Sequence, residues 1–328
     1  DSVWELDETL LRFNAKLEWE PLTKTGTLRS GTSWVRFRVG DSGGFSLYKT
    51  DTIVRGLQPW LQEGRLRFPQ EWIEQLGVLF DRDKKAIPGS HFKVKAILID
   101  PGHGGKDPGA IGNHIIDGKS LKVQEKDVTL AVGKSLYQRL IQAYPDKTIL
   151  LTRSDDTYPS LDERVMMANK LPLASNEAII FISIHCNASF NKNARGYEVW
   201  YLSPDYRRDL VSSRQDLDNA EILPIINDML EEEFTNESVI IAQNMLHHFD
   251  QYLKNKIPSR GIKAEEWFVV KNAKMPSVLV ELGFVTNKED ATLLTNPTYL
   301  NLFVQALYSG INDYIRSFES IGGAEVTE

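Results

Sequence analysis

The chain has 328 residues, and its 38 basic against 45 acidic side chains leave a formal net charge of −7, which excludes a general electrostatic grip on nucleic acid or anionic lipid. Apolar residues make up 41 % and aromatic residues 10 %, enough for a sizeable core in one large domain or two and too many for wholesale disorder. The single cysteine, Cys186, allows neither an internal disulfide nor a thiolate zinc site, so any metal must be held by His, Asp and Glu.

Residues 1–90 differ in texture from the rest. Trp34–Val39 and Phe45–Tyr48 alternate apolar and polar residues around Gly40-Asp41-Ser42-Gly43-Gly44, which predicts a β-hairpin. A further strand, Arg65–Pro69, leads into an amphipathic helix over Glu71–Leu79. We therefore expect a small α+β N-terminal domain, closed by a linker in the charged run from Asp81 to Ser90 with its Pro88-Gly89. Its segments Val39-Gly40-Asp41 and Gly64–Pro69 resemble stalk modules of bacterial envelope proteins, which implies a stalk-like, wall-binding or partner-binding role.

From residue 91 the pattern becomes alternating strands and helices. Strands are expected at Val94–Ile99, Thr148–Thr152, Ala178–Ile184, Tyr197–Leu202, Trp267–Val270 and Ser277–Glu281. Helices are expected at Lys126–Ala143, Leu161–Lys170 and Thr298–Phe318. Such alternation predicts an α/β domain over 91–322, a mostly parallel twisted sheet with helices on both faces. The stretch from Arg207 to Lys256 breaks it, with few strand signals, the acidic run Glu231-Glu232-Glu233 and a helical pattern from Val239 to Lys254. It reads as a helical insertion. No apolar run reaches the ~18–20 residues of a membrane span. The start at Asp1, without Met or a hydrophobic leader, fits a processed or trimmed N-terminus.

Chemistry gathers where strands should end. The apolar run Ala96-Ile97-Leu98-Ile99 passes into Asp100-Pro101-Gly102-His103-Gly104-Gly105, and the run Ile179–Ile184 ends at His185. Carboxyl ends of parallel strands are where open α/β sheets bind ligands. Two such histidines can converge, and Glu125, at the start of the next helix, can complete a His₂Glu zinc site with an open fourth position. Glu281 follows the buried-type run Ser277–Val280, and a carboxylate placed there can move a proton for a metal-activated water. Each residue taken alone has a plainer reading. A strand-end His is often a hydrogen-bonded structural residue, Glu125 an acid favoured by the helix dipole, and Glu281 a partner for Arg153 or Arg260.

In chain order, Asp100–Gly105, Glu125-Lys126-Asp127, Leu151-Thr152-Arg153, the segment from Arg164 to Asn169, Ser183–Ala188, Ser259–Lys263 and Pro276–Asn287 resemble the zinc-dependent N-acetylmuramoyl-L-alanine amidases over roughly 94–316. The resemblance implies Zn²⁺ held by His103, Glu125 and His185, with Glu281 as catalytic carboxylate. The implied reaction is hydrolysis of the amide between N-acetylmuramic acid and L-alanine in peptidoglycan. It implies an exported protein, in the periplasm or on the cell wall. Arg153, Asn187 and Arg260 are expected to orient substrate. Cys186 stands where the family usually has a small residue and should face away from His185. The insertion resembles a region that, in the cell-division type of these enzymes, includes a helix occluding the zinc until an activator protein removes it. Asp218 and Glu221 are then the candidate inhibitory ligands. The competing readings are a zinc exopeptidase on a similar sheet and a non-catalytic wall-binding protein that works through residues 1–90.

Overall fold

A computed structural model describes residues 3–31, 33–40, 45–49, 52–85, 93–174, 176–210 and 223–320. The N-terminal part comprises β1 (Val3–Glu5), α1 (Leu6–Phe13), β2 (Lys16–Glu20), β3 (Thr25–Ser30), β4 (Ser33–Arg38), β5 (Phe45–Tyr48), β6 (Thr52–Arg55), β7 (Trp60–Gln62), β8 (Arg65–Pro69) and α2 (Gln70–Lys85). Strands β2 to β6 form an antiparallel meander in sequence order, and β4 pairs with β5 as the expected hairpin. Phe37, Phe68 and Trp72 pack edge-on and tilted in its core, which binds α2 to the sheet. The helix expected over Glu71–Leu79 continues to Lys85, so Asp81–Lys85 belongs to α2 and not to a linker.

The second part comprises β9 (Lys93–Pro101), β10 (Ile111–Ile116), β11 (Lys119–Gln124), α3 (Glu125–Ala143), β12 (Thr148–Leu151), α4 (Leu161–Asn169), β13 (Glu177–Asn187), β14 (Tyr197–Leu202), α5 (Leu223–Leu253), β15 (Ser259–Glu265), α6 (Phe268–Asn272), β16 (Ser277–Phe284), α7 (Lys288–Leu294) and α8 (Pro297–Ser320). Among the described residues six strands form one sheet in the order β12-β9-β13-β16-β14-β15. All neighbours in it are parallel except β14 and β16.

Alternate residues of the central strands serve the two faces, as the period of two requires. Ile97, Ile99, Ile180, Ile182 and Ile184 pack against α3, α5 and α8, while Ala96, Leu98, Ile179 and Phe181 pack against Val165 and Ala168 of α4 and Val269 and Val270 of α6. Helices thus cover both faces.

Several elements differ from the sequence expectations. The expected strand Trp267–Val270 is the start of the short helix α6: Trp267 and Phe268 are exposed and Val269 and Val270 buried, a pairwise pattern that a strand cannot produce. Strand β15 escaped the apolar pattern because it is polar and pairs at the sheet edge with β14 alone. The hairpin β10–β11, too, lies between the glycine loop and Glu125, with alternation too weak to read.

Helix α5 is longer than expected, beginning at Leu223. The acidic character of Glu231 hid its first turns. Glu231 is in fact buried in a two-pronged pair with Arg208, whose Nη1 also donates to the carbonyls of Ala273 and Met275 at 2.8 and 3.2 Å. The N-terminal sheet docks on the same turns. The buried Arg36 donates to the Met229 carbonyl at 2.7 Å, Thr23 donates to Glu232, and Arg38 lies 3.6 Å from Glu232.

Candidate metal centre

The loop after β9 is built around one buried carboxylate. Asp100 accepts hydrogen bonds from Thr152 and Ser183, both at 2.7 Å, and pairs with the buried Arg164 at 2.8 Å. Arg164 in turn donates to the carbonyls of Pro101 and His103, which fixes the backbone as it leaves the sheet. His103 is held at φ 62, a left-handed conformation that a non-glycine residue keeps only where its surroundings over-determine it.

That backbone turns the imidazole towards α3. His103 Nδ1 lies 2.7 Å from Asp107 Oδ2, and its Nε2 lies 3.1 Å from Glu125 Oε1. His185, at the end of β13, brings Nδ1 to 3.0 Å from the same oxygen. Glu125 is buried and further held by the amides of Cys186 at 2.9 Å and Ala110 at 2.8 Å. One donor atom from each of His103, Glu125 and His185 lies within 4.8 Å of the others. Two glycines make the cradle possible. A Cβ on Gly102 would come 2.3 Å from His185 Cε1, and one on Gly109 would come 2.6 Å from Glu125 Oε2.

The donor set is two imidazole nitrogens and a carboxylate, with one histidine braced by a second carboxylate, Asp107. Zinc sites use this chemistry. Burial disfavours the His103 imidazolium, but hydrogen bonds and charge from Glu125 and Asp107 prevail and raise its pKa. Burial likewise opposes the charged form of Glu125, yet His103 and His185 hold its carboxyl well below the usual range. A concentrated negative charge facing two imidazoles is what a cation would replace as their common partner.

Glu281 stands opposite His185 in the register of β13 and β16, and opposite Glu198 in that of β16 and β14. The three side chains therefore line one row across the sheet. Glu281 Oε2 is buried without a hydrogen-bond partner. Burial, and then the charges of Glu125 and Glu198, push the Glu281 carboxyl well above its usual range, with Lys263 opposing. A buried carboxyl that favours its proton beside a candidate metal centre suits acid–base work.

The other expected site residues fall into three groups. Asn187 donates to Glu198 at 2.6 Å, and Arg260 donates to the other oxygen of Glu198 at 2.6 Å, both beside Glu281. Arg153 is buried and its guanidinium is engaged by the carbonyls of Pro101, Gly102, Lys126 and Asp155, so it braces the glycine loop from behind. Asp218 and Glu221 lie outside the described residues. Cys186 is buried in the core under the helices, away from the row of His185. Sequence reasoning missed Asp107, although a carboxylate four residues after a loop histidine is a readable signal. It also missed Glu198 and Lys263.

A mostly parallel sheet, helices on both faces and a His-Glu-His cluster over the strand ends define an α/β protein with a candidate metal centre of hydrolase type. The chain belongs to the N-acetylmuramoyl-L-alanine amidase family, which matches residues 97–313 and leaves the N-terminal domain outside the match. The chain is 32 % identical over 235 residues to the probable N-acetylmuramoyl-L-alanine amidase AmiB of Haemophilus influenzae, covering 66 % of this chain and 51 % of that one. It is 34 % identical over 224 residues to the N-acetylmuramoyl-L-alanine amidase LytC of Bacillus subtilis, covering 68 % and 36 %. It thus spans about half or less of the length of these curated relatives. Among solved structures, the amidase AmiC2 of Nostoc punctiforme superposes with a TM-score of 0.50 at 29 % identity, over 67 % of this chain and 97 % of that one. An amidase from Clostridium difficile 630 gives 0.50 at 26 % identity, over 69 % and 98 %.

Proposed function

We propose that this chain is a zinc-dependent peptidoglycan amidase that hydrolyses the amide between the lactyl group of N-acetylmuramic acid and L-alanine. The observation that carries the reading is the His103–Glu125–His185 cluster beside the buried, unpartnered Glu281 in a chain of this family. His103, Glu125 and His185 are the residues that would hold zinc. A zinc ion there supplies a Lewis acid able to polarise the scissile carbonyl and to lower the pKa of water towards about 7. Asp107 fixes the ring of His103, and Ala110 and Cys186 amides hold Glu125 in place. Glu281 takes the proton of the attacking water and returns it to the departing amine of L-alanine. Its surroundings favour the protonated form, which suits the second of those steps.

The substrate places the working protein outside the cytoplasm, and no helix among the described residues is long and apolar enough to cross a membrane. The insertion is the proposed regulatory element, with Asp218 or Glu221 closing the metal centre until an activator protein withdraws them. The test of the main reading is digestion of purified sacculi. Released peptides should carry a free L-alanine amino terminus, release should stop with a chelator, and zinc should restore it. Release of single amino acids in place of such peptides would refute the assignment and favour an exopeptidase.

A further inference from the structure

Glu198, the second residue of β14, is a charged residue almost fully buried and directly opposite Glu281. Two carboxylates facing each other across a buried pair of strands repel. The structure answers with cations on one of them. Glu198 Oε1 accepts from Asn187 and from Trp200 Nε1, and Oε2 accepts from Arg260 Nε and Lys263 Nζ. Burial opposes ionisation of Glu198, but Lys263 and Arg260 prevail and hold it charged. The cluster of one carboxylate and two cations therefore keeps one net positive charge next to the metal centre.

That positive charge faces outward. The side chains of Arg260 and Lys263 remain 35 % and 31 % exposed, whereas Glu198 beneath them is 2 % exposed. Each cation rests on an aromatic ring, Arg260 on Phe284 and Lys263 on Trp200, both 5.0 Å from the ring centre. Among the described residues the two terminal nitrogens of Arg260 have no acceptor, and Gly196 leaves room for its stem, since a Cβ there would come 2.9 Å from Arg260 Cγ. A rigidly held guanidinium with an open fork is a carboxylate receptor.

We propose that Arg260 and Lys263, positioned by Glu198, form a subsite for a free carboxylate on the peptide side of the scissile amide. This rests on the amidase reading and narrows its substrate class. The choice of side follows from the bond. The lactyl carboxyl of the sugar is consumed in the amide and leaves that flank neutral, so the free carboxylates lie on the stem peptide. The carboxyl of L-alanine is taken up in the next peptide bond, so the nearest free carboxylate the stem can offer lies on its second residue.

The test uses two soluble N-acetylmuramoyl tripeptides that are alike except at the second residue, whose α-carboxyl is free in one and a carboxamide in the other. The zinc-loaded full chain should prefer the free acid by about 10-fold or more, with the difference in KM and shrinking as salt is added. Arg260→Gln should bring the two substrates to near equality, and Arg260→Lys should restore part of the preference. Equal cleavage of both substrates by the unaltered protein overturns the subsite and leaves the amidase reading standing. So does a full preference retained in Arg260→Gln. Cleavage of neither substrate, with zinc content verified and sacculi also left intact, overturns the amidase reading and the subsite with it. The comparison within the unaltered protein decides the matter even if a variant fails to fold.

Discussion

Glu237 of α5 offers a test of the electrostatics at the junction with the N-terminal domain. Burial raises its pKa from 4.5 to about 7, and the neighbouring Glu233 and Glu18 add to the rise while Arg29 opposes it. Tyr314 of α8 completes the surroundings. The sign follows from linkage. Below pH 4.5 the folded and unfolded chains both hold this proton. Between 4.5 and about 7 only the folded chain keeps it, so stability falls as pH rises through that window and the full penalty stands above it. The whole shift is worth about 3 kcal/mol, and with the side chain partly wetted we expect about 1.5 kcal/mol to be measured. Glu237→Gln removes the titration. The assay is urea unfolding of both proteins at pH 5 and pH 8, followed by tryptophan fluorescence. The variant should gain about 1.5 kcal/mol relative to the parent on going from pH 5 to pH 8. Titrations of His103 and Glu125 are common to both proteins and cancel in the difference. A stability difference that does not change with pH, or a variant less stable at pH 8, would refute the reasoning.

At the metal centre, Glu281→Gln should lower the turnover of sacculi by about 10²–10⁴-fold while zinc binding by titration stays intact; lost zinc with lost turnover would make Glu281 a ligand instead. Gly102→Ala must displace the His185 ring, because the new methyl would come 2.3 Å from Cε1, and zinc affinity should fall by about 10–100-fold. Unchanged affinity in that variant would remove His185 from the ligand set. Arg164→Met leaves Asp100 charged and buried, so thermal and urea unfolding should report a loss of about 3–5 kcal/mol.

Three residues of the centre were legible because they sit where an apolar run stops: His103 follows β9 by two residues, His185 lies near the end of β13, and Glu281 interrupts the buried strand β16, while Glu125 was legible as the acid that opens α3. The same argument applies to Glu198, a charge inside Tyr197–Leu202. It went unread because its partners Arg260 and Lys263 lie on β15, a polar edge strand without an apolar pattern. Arg153 shows the opposite limit. Composition and spacing cannot tell an arginine that faces substrate from one engaged by the backbone carbonyls of Pro101, Gly102, Lys126 and Asp155. The parallel sheet was readable from its isoleucine-rich strands, which are buried on both faces. The start of α5 was not, because a buried Arg208–Glu231 pair looks in sequence like solvated charge.

That pair also decides how autoinhibition can be tested. A deletion from Arg207 to Glu237 would remove Glu231 with Met229 and Leu230, which are buried, and with them the carbonyl that Arg36 of the N-terminal sheet holds. Both partners of the Arg208–Glu231 pair would go together, leaving no lone charge, but the carbonyls of Ala273 and Met275 ahead of β16 would lose their donor. Inactivity of such a protein would report a disturbed support for Glu281 and say nothing of inhibition. Replacing residues 211–222 by a Gly-Ser run of equal length removes Asp218 and Glu221 and keeps Arg208, Glu231 and the docking of the N-terminal sheet. Basal release from sacculi should then rise by at least several-fold, with an unfolding midpoint unchanged from the parent. Unchanged release at an unchanged midpoint would refute autoinhibition by that segment, and the insertion would stand as the structural bridge between the N-terminal sheet and β16.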